Sequence, residues 1–184
     1  RTGRSALVAE ALAVFSPAAD RNGVESFIQH MPREGIQMPR IEEGIEIRCP
    51  VEKAYAFTTD AGSWNTWQTV ILEAEQTSQG PVGVGTTFKG ASHLMGRTMQ
   101  WTARATECKP PGKFGKNITS GPLLIEQHNT YTPTTGGMKF TLTYDMTMNG
   151  FLKVLTPMMV NSMRKELRKS LINLKQILES ESRL

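Results

Sequence analysis

The chain has 184 residues, 39% of them hydrophobic, which is enough apolar material for one domain with an appended segment. The 21 Lys and Arg against 17 Asp and Glu leave a net charge of +4, which permits contact with anionic partners without demanding it. No run approaches the ~18 apolar residues of a membrane span, and two cysteines do not make a disulfide scaffold in a chain this long.

Residues 1–38 differ from the rest. Leu7, Val8, Ala11, Leu12 and Phe15 share one helical face, and Pro17 ends that segment. Asn22 followed by Glu25 is a capping-box spacing that opens a second short helix. Its stripe is Val24, Phe27, Ile28 and Met31. Gly35 and Pro39 mark a linker. The segment reads as an N-terminal helical extension or an added piece, with Met38 a candidate start for a domain over 39–184.

From Arg40 the apolar period changes to two. Ile41, Ile45 and Ile47 alternate, and Cys49-Pro50 closes that strand. A short amphipathic helix follows, with Val51, Ala54, Tyr55 and Phe57 apolar. Ala61-Gly62 separates it from a second short helix that carries Trp64 and Trp67. Strands are then expected over 70–74, 86–92, 97–108, 114–119, 123–132 and 138–148. Glycines at 80, 83 and 85 mark a turn. Pro110-Pro111-Gly112 and Gly121-Pro122 mark breaks, and Pro133 through Gly137 a hairpin. Connections this short exclude parallel crossovers, which need a dozen residues or more, so an antiparallel meander is expected.

The last strand alternates most cleanly. Phe140, Leu142, Tyr144, Met146 and Met148 share one face. Lys139, Thr141, Thr143, Asp145 and Thr147 share the other, so one face is buried and one wet. Gly150 leads into a helix running to about Ser180, with a stripe of Leu152, Leu155, Met159, Met163, Leu167, Leu171, Leu174 and Leu178. Pro157 stands either at its first position or at a kink. Arg164, Lys165, Arg168 and Lys169 concentrate charge on this helix and read as a solvated face.

Signals for covalent or metal chemistry are missing from the pattern. There is no GxSxG, and neither Cys49 nor Cys108 has a plausible histidine partner. His30, His93 and His128 are scattered and lack metal-ligand spacing. The glycine-rich stretch at 80–90 lacks the Lys-Ser/Thr ending of a phosphate loop. No strand interleaves aromatic and basic residues as single-strand nucleic-acid binders do. The expectation is no cofactor, no metal and no nucleic acid. Reduced thiols would suit a cytoplasmic protein.

The order of elements, with the residues in place, resembles the START-related helix-grip superfamily, and within it the polyketide cyclase/dehydrase and lipid-transport group. The residues that carry the resemblance are Ile45-Glu46-Ile47 with Pro50 through Tyr55, Asp60 before Trp64-Asn65-Thr66-Trp67, and Val82-Gly83-Val84-Gly85. Glu107 before Pro110-Pro111, Tyr131-Thr132-Pro133 before Gly136-Gly137, and Leu171 through Lys175 with Leu178-Glu179 complete the set. The match covers roughly 40–180 and leaves out 1–38. It implies an α+β helix-grip fold: a curved antiparallel β-sheet wrapped around a long C-terminal α-helix, with two short helices after the first strand. It also implies a cavity between sheet and helix that holds a hydrophobic small molecule.

The expected lining of that cavity follows from strand alternation. Ile125, Gln127, Asn129 and Tyr131 come from one strand, Met99 and Trp101 from another, and Phe88 from a third. Phe140, Leu142, Tyr144 and Met146 come from the last strand, and Leu155, Met159 and Met163 from the long helix. Methionines suit a pocket for irregular apolar shapes, and Gln127 and Asn129 are the few placed polar groups such pockets carry. Trp64 and Trp67 would form a lid or plug one end. Register decides much here, because a one-residue slip would exchange Gln127 and Asn129 for Glu126 and His128.

Three functions fit. The first is binding or carriage of a lipid, isoprenoid or polyketide-like molecule. The second is an aromatic polyketide cyclase/dehydratase, in which Tyr131, Tyr144, Gln127 and Asn129 would orient an enolate in a shaped cavity. The third is an interaction module, or a homodimer, that buries Leu12, Phe15, Phe27 and Ile28. The sequence leaves catalysis open.

Overall fold

The computed structural model describes residues 36–37, 40–94, 96–121, 123–148 and 156–180. The helices expected before residue 36, His30, Leu152 and Leu155 lie outside these residues. Strands β1 (Ile36–Gln37) and β2 (Ile41–Ile47) run in succession along one edge of β8 (Gly137–Met148). Ile36 stands opposite Met148, and Ile41 opposite Tyr144. β3 (Ile71–Gln76), β4 (Thr87–Leu94), β5 (Arg97–Lys109), β6 (Lys113–Ser120) and β7 (Leu123–Thr134) lead to β8 in chain order. Each pairs antiparallel with the next.

The departure from a simple meander is at the start. β2 lies at the β8 edge and β3 at the opposite edge. The two short helices therefore carry the chain from one edge to the other. Helix α1 (Val51–Thr59) begins at Pro50, whose backbone is already extended at φ −60°, and has Glu52 in its first turn, where a negative charge suits the helix dipole. Its buried face is Val51, Ala54, Tyr55, Thr58 and Thr59, one stripe of a 3.6-residue period. Asp60 ends it by accepting a hydrogen bond from the Gly62 amide at 3.0 Å, which starts a short turn into α2 (Trp64–Trp67).

Register shifts between Ile71 and Glu73 and between Ala105 and Glu107 bend β3 and β5, as bulges do. Gly90 in β4 stands opposite Trp101 in β5. A Cβ at Gly90 would sit 2.2 Å from the Glu73 carbonyl and 2.4 Å from the Trp101 ring. Glycine there lets the indole lie flat against the neighbouring strand.

Helix α3 (Thr156–Ser180) has 25 residues and so extends about 37 Å. It buries Met159, Val160, Leu167, Leu171, Leu174 and Leu178, all but Val160 from the expected stripe. Strand β2 and the residue that follows it tie it down at three heights. Glu43 meets Arg168 at 2.9 Å and Arg164 at 3.6 Å. Lys175 donates to the Glu46 carbonyl at 2.7 Å, and the Arg48 amide donates to Glu179 at 2.9 Å. Lys169 pairs with Glu166 at 2.7 Å, so three of the four cations expected on a solvated face are held in ion pairs.

Candidate functional site

Strand register arranges the concave face in rows. Ile118, Ile125 and Met146 form one row, Lys116, Gln127 and Tyr144 the next, and Phe114, Asn129 and Leu142 the one beyond. The expected register of β7 holds: Leu123, Gln127, Asn129 and Tyr131 are buried, while Glu126 is exposed.

A half-open cavity of about 100 Å³ lies between this face and the first half of α3. That is room for roughly seven to ten water-sized spheres, the bulk of a compact one- or two-ring molecule. Its walls are Met99 and Trp101 of β5, Ile118 of β6, Leu123 and Ile125 of β7, Tyr144 of β8, and Met163 and Leu167 of α3. Gln68, Val70 and Ile71 cover one side, and Ser92, Leu94, Ser120, Glu166 and Ser170 complete the lining.

The expected lining residues fall into two groups. Met99, Trp101, Ile125, Gln127, Tyr144 and Met163 border the cavity. Trp64, Trp67, Phe88, Asn129, Tyr131, Phe140, Leu142, Met146 and Met159 are buried in the core beyond it, and Leu155 lies outside the described residues. For all of these but Met146, which shares the row of Ile118 and Ile125, and Met159 in the first turn of α3, the reason is that α1 and α2 fill that half of the groove. Trp67 packs edge-on against Phe140 at 6.2 Å, and Tyr55 against Tyr131 at 5.2 Å. Trp64 lies 5.0 Å from Phe88 and 6.3 Å from Trp101, and its indole N–H donates to the Thr58 carbonyl at 2.8 Å. Both α2 tryptophans are interior wall, not an exposed lid.

Four polar side chains form a directed hydrogen-bond chain from the cavity edge into the packed half, where the Trp67 indole N–H has no partner among the described residues. Gln127 Nε2 donates to Asn129 Oδ1 at 2.9 Å, and Asn129 Nδ2 donates to the Tyr131 hydroxyl at 3.4 Å. Thr58 Oγ1 donates to the Ala54 carbonyl at 2.7 Å, so the 2.5 Å contact between Tyr131 and Thr58 has the tyrosine as donor. Burial pushes the Tyr131 hydroxyl up to about 12, which keeps it protonated for that role.

The cavity floor differs. Lys116, absent from the expected lining, is 3% exposed and borders the cavity. Its position was legible in principle: Phe114, Lys116 and Ile118 alternate, which sets Lys116 on the inward face of β6. Its Nζ stands 3.2 Å from the centroid of the Trp64 ring. Among the described residues it has neither a hydrogen bond nor an ion pair. The ring face supports a desolvated cation by ~2 kcal/mol or somewhat more, whereas an unpaired ion loses several kcal/mol of solvation on burial. Desolvation wins and holds the Lys116 amine well below its ordinary range. Tyr144, in the same row, has no hydrogen-bond partner among the described residues, and burial pushes its hydroxyl up, so it remains a donor. Glu166 at the rim is engaged by Lys169 and by the Thr69 hydroxyl at 2.9 Å.

Cys49 and Cys108 are free thiols. Among the described residues no group of three His, Cys, Asp or Glu side chains could hold a metal, and no helix is long and apolar enough to cross a membrane.

A curved antiparallel sheet closed over a long C-terminal helix, with an apolar cavity between them, defines a helix-grip protein of the hydrophobic-ligand-binding kind. The chain belongs to the family described as polyketide cyclase / dehydrase and lipid transport, whose sequence profile matches residues 38–179. Comparison with curated proteins finds no match. Solved structures of similar shape include a protein from Thermus thermophilus, with a TM-score of 0.68 at 17% identity over 78% of this chain and 99% of that one. The Zhui aromatase/cyclase from a Streptomyces species has a TM-score of 0.67 at 12% identity, over 77% and 94%. The di-domain ARO/CYC protein BexL has 0.62 at 15%, over 78% of this chain and 47% of that one. At such identities the likeness establishes the fold.

Proposed function

We propose that this protein binds and carries a hydrophobic small molecule, of lipid, isoprenoid or polyketide-like character, in the cavity between the sheet and α3. The observation that carries this reading is the lining: apolar side chains from six strands and a helix surround a space left open, while the other half of the same groove is packed solid. Pockets of this make-up bury most of a ligand's apolar surface and orient it with few polar groups. The thiols and the mild charge suit a cytoplasmic carrier. Native mass spectrometry of gently purified protein tests the reading. A bound small molecule, or a thermal shift with members of a lipid and aromatic panel, is the expected result; an empty protein that no panel member stabilises contradicts it.

The second reading is an aromatic cyclase/dehydratase acting in the same cavity. It is supported by the polar row of Lys116, Gln127 and Tyr144 on an otherwise apolar floor, since ring closure needs a shaped cavity and one or two proton-transfer groups. Turnover of a poly-β-ketone mimic that is lost in Tyr144→Phe would favour it. No turnover with any such substrate removes it.

A further inference from the structure

Lys116 is the one lysine side chain among the described residues that borders the cavity, and nothing in the packed core explains it. A structural lysine buried this far needs a carboxylate, and none pairs with it among the described residues. Its Nζ is held against the Trp64 face, and Trp64 is itself pinned through the Thr58 carbonyl. Gln127 stands beside it on β7, its amide nitrogen committed to Asn129. The amine is thus held against Trp64 on a buried side chain that borders a space fit for a compact apolar molecule.

We propose that Lys116 is a nucleophilic amine that captures an apolar aldehyde or ketone in the cavity as a reversible imine. The inference rests on the cavity being a binding site and adds the chemical class of its ligand. The amine lone pair adds to the carbonyl carbon to form a carbinolamine. The C–O bond then breaks and a C=N bond forms, and the two amine protons leave with the carbonyl oxygen as one water. No oxidant or reductant is needed. The half-open mouth lets that water leave and lets water return to release the ligand. A desolvated lysine in an apolar pocket is the environment that activates this nucleophile. An exposed lysine, by contrast, is a free amine for only roughly one part in 2,500 at pH 7.

The test uses the whole chain with 2-naphthaldehyde and sodium cyanoborohydride at pH 7, read by intact mass and peptide mapping. The hydrocarbon 2-ethylnaphthalene serves as a carbonyl-free probe of the same cavity, followed by thermal shift. The expected result is a single reduced adduct on Lys116, formed at least tenfold faster than on any other lysine and slowed by excess 2-ethylnaphthalene. Lys116→Met should lose the adduct and still bind the hydrocarbon. Because the exposed lysines of the unsubstituted protein are an internal control, the test does not depend on that variant folding. Adducts spread over exposed lysines at equal rates, with hydrocarbon binding intact, overturn the proposal and leave the cavity reading standing. Tighter binding of 2-naphthoate than of 2-naphthaldehyde, with no adduct, also overturns it and makes Lys116 a counter-ion. If neither the hydrocarbon nor the aldehyde binds, the cavity reading fails and takes the proposal with it.

Discussion

The two halves of the groove are built from the same strands, yet they differ in what their polar groups do. From the cavity edge into the half filled by α1 and α2, Gln127, Asn129, Tyr131 and Thr58 pass hydrogen bonds along a chain that ends on the Ala54 carbonyl. In the same row as Gln127, Lys116 and Tyr144 border the cavity with no hydrogen-bond or ion-pair partner among the described residues, the Lys116 amine lying on the Trp64 ring. Buried polar groups are ordinarily satisfied; among the described residues the buried indole N–H groups without a partner are those of Trp101, at the cavity, and Trp67, in the packed half. The packed half is a core; the open half is where the proposed ligand would sit.

Truncation separates the halves most strongly. Phe140→Ala in the packed half should cost about 3–5 kcal/mol in chemical denaturation, because it opens a void among Trp67, Tyr131 and Ile45. Ile125→Ala should cost only about 2 kcal/mol, the low end for such a change, because its side chain already borders empty space. Equal costs would erase the distinction.

Lys116→Met should act in the opposite direction and stabilise by about 1–4 kcal/mol at pH 7, because it replaces a buried ionisable group by an apolar one of similar length. The pH dependence has a definite sign. The Lys116 amine titrates well below its ordinary range in the folded chain and near 10.4 in the unfolded chain. Between those values the unfolded state binds more protons, so the wild type gains stability as pH rises. The advantage of the methionine variant should therefore shrink from pH 7 to pH 10 in paired melts. A constant difference would mean that Lys116 is solvated.

Thr58→Val should cost about 1–3 kcal/mol, since the buried Tyr131 hydroxyl loses its acceptor. Tyr144→Phe removes a hydroxyl that no described residue engages and should stay within about 0.5 kcal/mol. A large loss in Tyr144→Phe would show that its hydroxyl has a structural partner.

Much of this architecture is legible in residue type alone. The alternation of Phe140 through Met146 sets the inward face of the last strand, although Thr143 of the expected wet face is also buried, whereas Leu123 through Tyr131 mixes apolar and polar runs and its register is fixed only by pairing. Pro157 and the leucine stripe delimit α3. What is not legible depends on contacts between distant segments. Trp64 and Lys116 meet only because α2 crosses the sheet, so the division of the groove into core and cavity cannot be read from any one strand. Lysine by itself suggests an exposed position, and its short strand offers only Phe114 and Ile118 as evidence against that. The pairing of β2 with β8, nearly 100 residues away, likewise leaves no local trace.

The three tryptophans provide the most direct test of the central claim. Trp101 borders the cavity and Trp67 lies in the packed half, both with buried indole N–H groups that have no partner among the described residues; Trp64 lies beneath Lys116 with its N–H bound to Thr58. Titration with 2-ethylnaphthalene, followed by two-dimensional NMR of the indole N–H groups, should shift Trp101 strongly, Trp64 less and Trp67 least. Shifts that centre on Trp67, or no shift at saturating hydrocarbon, would contradict the claim that the open half of the groove is the binding site.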